Sequence, residues 1–207
     1  SSAASDVYKR QPFIREHIMN GTSSQGPPPF VAITESWLKG YITDAQVAVD
    51  NYQVYRSDRS NRVGGGCLLY VHNHLVVTES HSYEDKYNNL VMCYMESKNT
   101  IIATVYRPPD APLATFKDLL ASLQTKIDEY SANSRVPDMY ILGDFNFPNI
   151  DWELGSPTLT ESEEMLSRFI DNNFLTQVIR EPTRSNNILD LVLTNKPHYV
   201  ICLLYTS

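Results

Sequence analysis

Cysteine is scarce in this sequence: Cys67, Cys93 and Cys202 are the three among 207 residues, and no two form a CxxC pair. That excludes a thiolate zinc site and a disulfide framework, and it fits a reducing compartment. Basic excess is also lacking. Lys plus Arg number 17 against 24 Asp plus Glu, a net charge of −7, so the chain does not hold a polyanion by bulk electrostatics as basic domains do. Any such partner must be met at a local site, with metal ions offsetting phosphate repulsion. No apolar run approaches the roughly 20 residues that span a bilayer, and the opening SSAASDVYKRQ lacks the apolar stretch of a secretory leader. Internal repeats and low-complexity tracts are absent too. What is present is core-forming material: 42% hydrophobic and 11% aromatic residues with only 20% charged. That composition excludes wholesale disorder, collagen and coiled coil, and the length suits one α/β-sized domain.

The two ends match nothing around them. Residues 1–11 and 201–207 (ICLLYTS) resemble translated adapter sequence, so the expected domain is 12–200, truncated at both ends. Within it, the Gly-, Ser- and Pro-rich 21–29 is a loop. Apolar runs predict strands at 30–34, 52–55, 67–71, 75–77, 90–95, 100–106, 138–142, 175–179 and 188–193, with a hairpin joining the fifth and sixth through Ser97-Lys98-Asn99. Phe116, Leu119, Leu120, Leu123, Ile127 and Tyr130 recur at helical spacing and predict a helix over 113–130. A second is predicted over 161–173, with Thr160 and Glu163 spaced as a capping box. Strands outnumber helices and many neighbours read as hairpins, which predicts mixed or antiparallel sheets covered by helices in an α+β layered arrangement.

The acids fall in a telling place. Glu35, Asp144 and Asp190 each sit at or beside the end of an apolar run, where separated residues can meet on one rim of a sheet. Three carboxylates converging there would suit Mg²⁺, which prefers oxygen ligands and keeps several waters. Each also has the plainer reading of a turn former or helix cap. Asp144 and Asn146 in Gly143-Asp144-Phe145-Asn146 share a face in extended chain and could hold a water and a phosphoryl oxygen, or form an Asx-rich turn. Tyr106-Arg107-Pro108-Pro109 puts a phenol and a guanidinium at a strand end, either to bind a phosphate or as a core Tyr with a surface Arg. Gly64-Gly65-Gly66 lacks the spacing of a phosphate loop and reads as a turn or a close packing point. Arg56, Arg59 and Arg62 could contact a phosphate backbone; solvated loop charges are the default reading. The histidines His17, His72, His74, His81 and His198 show no metal-ligand pattern.

Taken in order, Ile33-Thr34-Glu35-Ser36-Trp37-Leu38, Tyr52 through Arg59 with the three glycines, Tyr106-Arg107-Pro108-Pro109, Gly143 to Asn146 with Asp151-Trp152, and Leu189-Asp190-Leu191-Val192-Leu193-Thr194-Asn195 resemble the endonuclease domain of non-LTR (LINE-type) retrotransposons. That domain belongs to the endonuclease/exonuclease/phosphatase superfamily, and the resemblance covers about residues 30–195. It implies a four-layer α/β sandwich of two mostly antiparallel sheets with helices outside. It implies hydrolysis of a phosphodiester with Mg²⁺ or Mn²⁺, nicking target DNA so that the freed 3′-hydroxyl primes reverse transcription of the element's RNA by a downstream polymerase. The nucleus is the implied place of action, with the cytoplasm second and no membrane partner.

Carried over residue by residue, Glu35 looks like the metal-binding Glu and Asp144 like the Asp that orients or deprotonates the water. Asn146 looks like its phosphate-contacting partner, Tyr106 like the Tyr supporting the scissile phosphate, and Asp190 like the carboxylate paired with a late catalytic His. Arg107 and Arg184 are the candidate substrate-binding cations. Two departures stand out: Asn20 lacks the context of the family's first-strand Asn, and no closing Ser-Asp-His segment occurs, since His198 does not fit it. The expectation is therefore a nuclease parent and a weak or dead fragment. Two rivals stay open: an inactive or binding-only remnant, and another phosphodiesterase of the superfamily acting on abasic DNA, inositol phosphates or sphingolipids.

Overall fold

The computed structural model describes residues 26–199 apart from 61, 133, 134, 154 and 157. The expected foreign ends and Asn20 lie outside the described residues.

Among the described residues, three strands form a small antiparallel sheet: β1 (Phe30–Thr34), β2 (Tyr52–Ser57) and β3 (Cys67–His72), with β3 central. Six form a larger one in the order β4 (Glu79–Glu84), β5 (Asn89–Met95), β6 (Thr100–Tyr106), β7 (Asp138–Asp144), β9 (Asp190–Thr194) and β8 (Thr176–Gln177). Every neighbouring pair is antiparallel except β6 and β7. Those two are joined by the long helix α2 (Leu113–Ala132), the kind of crossover a parallel pair needs. A one-turn helix α1 (Asp44–Val47) and a three-turn helix α3 (Glu161–Asn172) complete the set.

Three apolar clusters stack through the layers. Leu90, Met92, Ile101, Ala103, Val105, Met139 and Ile141 meet the buried face of α2 and Leu166 and Phe169 of α3. On the opposite face of the large sheet, Val91, Cys93, Met95, Ile102 and Tyr106 meet Cys67, Leu69 and Val71 of β3. The outer face of the small sheet, with Leu68 and Tyr70, packs under Val47 of α1, Leu38, Ile42 and Val49. The order is thus helices, six-stranded sheet, three-stranded sheet, short helix and loops: the predicted α/β sandwich of two sheets with flanking helices. Strands β5 and β6 are buried on both faces, which is why they read as continuous apolar runs.

Both helices follow their sequence signals. All six predicted core positions of α2 are buried. At the start of α3, Glu163 N donates to Thr160 Oγ1 at 3.4 Å and Thr160 N to Glu163 Oε2 at 2.7 Å, the reciprocal capping box. Two strand predictions need correction. Residues 75–77 form no strand; Leu75 and Val77 pack on the inter-sheet cluster from the connecting loop. The strand there is β4, whose Glu79-Ser80-His81-Ser82-Tyr83-Glu84 is too polar to read as one; it forms because it is an edge, where polar side chains are favoured. The strand expected at 175–179 shrinks to the ladder pair Thr176–Gln177, because the Gln177 side chain turns back to bond both the N–H and the C=O of Ile179.

Candidate active site

Strand register brings the candidate residues of the large sheet into one row. Asn89 pairs with Tyr106, Tyr106 with Asp144, and Asp144 with Asp190. Cross-strand partners share a face, and Leu142, two residues before Asp144, packs on the inter-sheet side. The row therefore runs along one end of the large sheet, facing the small one. Gly143 makes the tight spacing possible: a Cβ there would lie 1.8 Å from the carbonyl oxygen of Val105 on β6.

Asp144 is 4% exposed. Burial, then the carboxylate of Asp190 across the ladder, pushes its carboxyl up to about 7, against the pull of Arg184 and Asn146. Asn146 takes the left-handed conformation (φ 52°), which Asn tolerates better than most residues. That turn lets its N–H donate to Asp144 Oδ1 at 3.1 Å, while its Nδ2 donates to the carbonyl of Arg107 at 2.8 Å. Both alternatives for Gly143 to Asn146 therefore hold at once: the segment is a turn, and it places its amide and carboxylate together.

Glu35 approaches from the small sheet, immediately after β1. It and Trp37 both have positive φ (53° and 55°), a costly conformation for such residues, sustained by zipping onto the glycine loop. Trp37 N donates to the carbonyl of Gly65 at 2.9 Å and Ser36 N to that of Gly66 at 3.3 Å. Glu35 Oε2 accepts from Trp37 Nε1 at 2.7 Å and from the Gly65 N–H. Gly64, Gly65 and Gly66 all have positive φ; they form the close packing point that the sequence suggested and hold the carboxylate, not a phosphate. Tyr106 bridges the two sides. Its hydroxyl is hydrogen-bonded to Glu35, and burial together with that carboxylate pushes the phenol well above its ordinary value, so it stays protonated.

Asp190 opens β9 opposite Asp144, and its N–H and that of Leu189 both donate to Thr183 Oγ1, at 3.1 and 3.0 Å. Arg184 follows on the turn closed by its bridge to Asn187. It is exposed, and its charge reaches Asp144.

Arg107 differs from its expected substrate-binding place. It is 5% exposed, its guanidinium lies 4.1 Å from the Phe147 ring centroid and 5.3 Å from that of Phe116, and Nη1 donates to the carbonyls of Phe145 and Asn146 at 3.1 and 3.3 Å. A guanidinium committed to that loop holds the loop rather than a phosphate. The basic trio is also corrected. Arg56 is held by Asp44 and Asp58 and Arg62 by Asp110 at 3.0 Å, while Arg59 is 3% exposed. Asn89, buried completely, went unremarked in the sequence. Its side chain accepts from Gly66 N and donates to Ser57 O and Oγ, tying the two sheets together at the site. No spacing signal marks it.

The carboxylates reach one rim without forming a cage: among the described residues no three His, Cys, Asp or Glu side chains are grouped to hold a metal. The donors still fit a hard cation. Glu35 offers carboxylate oxygen, oriented by two N–H donors, and the nearby Cys67 is fully buried with its thiol held well above its ordinary value by burial and by Glu35 and Asp144, so no thiolate is offered to a soft metal. A single oriented carboxylate suits Mg²⁺, which takes one or two and retains water. The described histidines sit elsewhere: His72 and His74 adjoin each other, His81 bonds Ser122 at 2.9 Å, and His198 lies past the end of β9 remote from Asp190.

The sequence model of a family described as "Endonuclease-reverse transcriptase" matches residues 100–206, just over half of the chain. No curated protein matches the sequence. Among solved structures, the 3′ phosphatase NExo from Neisseria, bound to a product DNA hairpin, is similar at 14% identity and a TM-score of 0.62 over 91% of this chain and 82% of its own. The AP endonuclease from Archaeoglobus fulgidus has 15% identity and a TM-score of 0.62 over 95% and 84%. The endonuclease domain of TRAS1, a telomere-specific non-LTR retrotransposon, has 15% identity and a TM-score of 0.53 over 92% and 79%. At these identities the likeness is one of fold.

Proposed function

The chain belongs to the endonuclease-reverse transcriptase family, and on that premise we propose that it is the metal-dependent phosphodiesterase part of a non-LTR retrotransposon protein, nicking target DNA in the nucleus to prime copying of the element's RNA. The observation that carries this reading is the register row: Tyr106, Asp144 and Asp190 stand side by side on three adjacent strands, with the Asp144 carboxyl near neutrality.

Water attack on phosphorus needs a base, and a carboxylate at about 7 both accepts and releases a proton at physiological pH. Asp144 takes the proton as the water oxygen joins phosphorus and the bond to the 3′-oxygen breaks, the departing oxygen taking a proton from solvent to become the 3′-hydroxyl. Asn146, anchored through Arg107, holds the water or a phosphoryl oxygen with its remaining amide capacity. The protonated Tyr106 hydroxyl, turning its one proton from Glu35, donates to a non-bridging oxygen as charge builds there. Arg184, exposed beside the carboxylates, offers a cation for the DNA backbone. Glu35 would hold Mg²⁺ or Mn²⁺, which when bound supplies positive charge against the developing phosphorane.

Conversion of supercoiled plasmid to open circle tests this. Nicking should require Mg²⁺ or Mn²⁺, leave an extendable 3′-hydroxyl, and rise with pH to an inflection at or below about 7 as Asp144 ionises. Hydrolysis of a phosphoinositide with no attack on plasmid would move the protein to another branch of the superfamily. Failure to cut either substrate would favour the binding-only remnant, for which the placement of the described histidines away from Asp190 is the specific observation.

A further inference from the structure

Arg59 is the buried cation that this chemistry leaves without a role. It sits at the start of the loop after β2, 3% exposed, and is in no ion pair among the described residues. Its Nη2 donates to the carbonyl of Tyr87 and, at 3.5 Å, to that of Lys86, in the turn before β5, while Nε has no partner. Its own carbonyl accepts from Lys39 Nζ at 2.6 Å, which fixes the backbone end of the side chain as well. A buried guanidinium held at both ends is costly to desolvate, so its neighbours indicate what it does.

Those neighbours are the two supports of the site. On one side the guanidinium lies over the Tyr106 ring, 5.5 Å from its centroid, a cation–π contact strengthened by burial. On the other it lies against Gly65. A Cβ at Gly65 would be 2.8 Å from both Cδ and Nη1 of Arg59, so the glycine is required for that contact as well as for its φ of 76°. Gly65 donates its N–H to Glu35, and Tyr106 bonds the same carboxylate through its hydroxyl. One side chain is thus wedged between two of the three groups that grip Glu35, Trp37 being the third.

Resting on the phosphodiesterase reading, we propose that Arg59 is a positioning residue: braced against Gly65, it fixes the Tyr106 ring so that the phenol keeps its placement beside the Glu35 carboxylate for the scissile phosphate. It acts through Tyr106 and touches neither substrate nor metal. The Tyr52-to-Arg59 segment and the glycine triplet then form one device, with the glycines admitting the arginine.

The test is a double-mutant cycle of Arg59→Met and Tyr106→Phe in plasmid nicking under single-turnover conditions, with Arg59→Lys alongside. For groups acting as a unit, effects are not additive, and small misplacements at a reacting centre cost on the order of 100-fold. Arg59→Met should lower the rate constant roughly 10- to 100-fold with half-saturating DNA within about threefold. The same change on the Tyr106→Phe background should cost less than about threefold. Arg59→Lys, which keeps the charge and loses the guanidinium over the ring, should fall between; it carries the comparison if Arg59→Met does not fold. Full loss on both backgrounds, or a change confined to DNA affinity, would overturn the assignment. An active wild type with an unimpaired Arg59→Met defeats this inference alone, whereas a wild type that cuts nothing retires the phosphodiesterase reading and this inference with it.

Discussion

The two halves of the candidate site are held by different means. On the large sheet, Tyr106, Asp144 and Asp190 are fixed by backbone ladders, so their spacing is set by strand register. On the small sheet, Glu35 lies just beyond the last ladder pair of β1, Thr34 with Cys67, and is held by loop-to-loop bonds from Trp37 and Gly65. A ladder resists displacement cooperatively, whereas a loop contact can be lost alone. The ladder half should therefore fail by losing the fold, and the loop half by losing function with the fold intact.

The strongest way to break the ladder half is Gly143→Ala. The new methyl would overlap the Val105 carbonyl, forcing β6 and β7 apart, and a destabilisation above about 4 kcal/mol is expected. A thermal melt matching wild type would show that the register is not as tight as described.

Asp144→Asn separates chemistry from stability within that half. Nicking should drop at least about a thousandfold, as for a residue acting as part of a unit. The stability sign follows from linkage: a carboxyl raised to about 7 in the folded state binds more protons than the unfolded chain between its ordinary value and 7. Its contribution is fully present at lower pH and lost as pH rises through about 7. The Asn variant escapes that loss, so without added metal it should melt a few degrees above wild type at pH 8, the gain vanishing toward pH 4. An unchanged difference across that range would count against the raised carboxyl.

Trp37→Phe probes the loop half. It removes the 2.7 Å donor to Glu35 and keeps the ring. The Mg²⁺ concentration for half-maximal nicking should rise about tenfold, the lower range for outer-shell partners of a metal ligand, with little change in melting temperature. A large loss of stability with unaltered Mg²⁺ dependence would place Glu35 outside metal binding. Arg184→Ala should show the smallest effect: a few-fold weaker DNA binding with a shallower salt dependence and no change in melting, read by titration at two salt concentrations.

How far the sequence reached differs between the same halves. The α2 and α3 helices, the β5–β6 hairpin and the apolar strands other than 75–77 and 175–179 are legible because each is a pattern that local physics obeys. Edge strand β4 was not, since its residues are polar and only its neighbour β5 makes it a strand. The acids at strand ends were legible as candidates, because a carboxylate closing an apolar run needs an explanation. Arg107, Arg59 and Asn89 were not: a guanidinium in a loop reads as solvated, and nothing in spacing reveals that Phe147, Tyr106 or the facing sheet will cover it.

By itself the sequence determined the periodic elements, their apolar faces and the positions of the chemistry-bearing residues, since these depend on contacts a few residues apart. Tertiary structure alone decided that Tyr106, Asp144 and Asp190 stand in one row, that Glu35 meets them from another sheet, and which cations are buried props. Those facts depend on register and on inter-sheet packing between segments distant in the chain, where the energy lies in close approach and desolvation, and no local pattern records it.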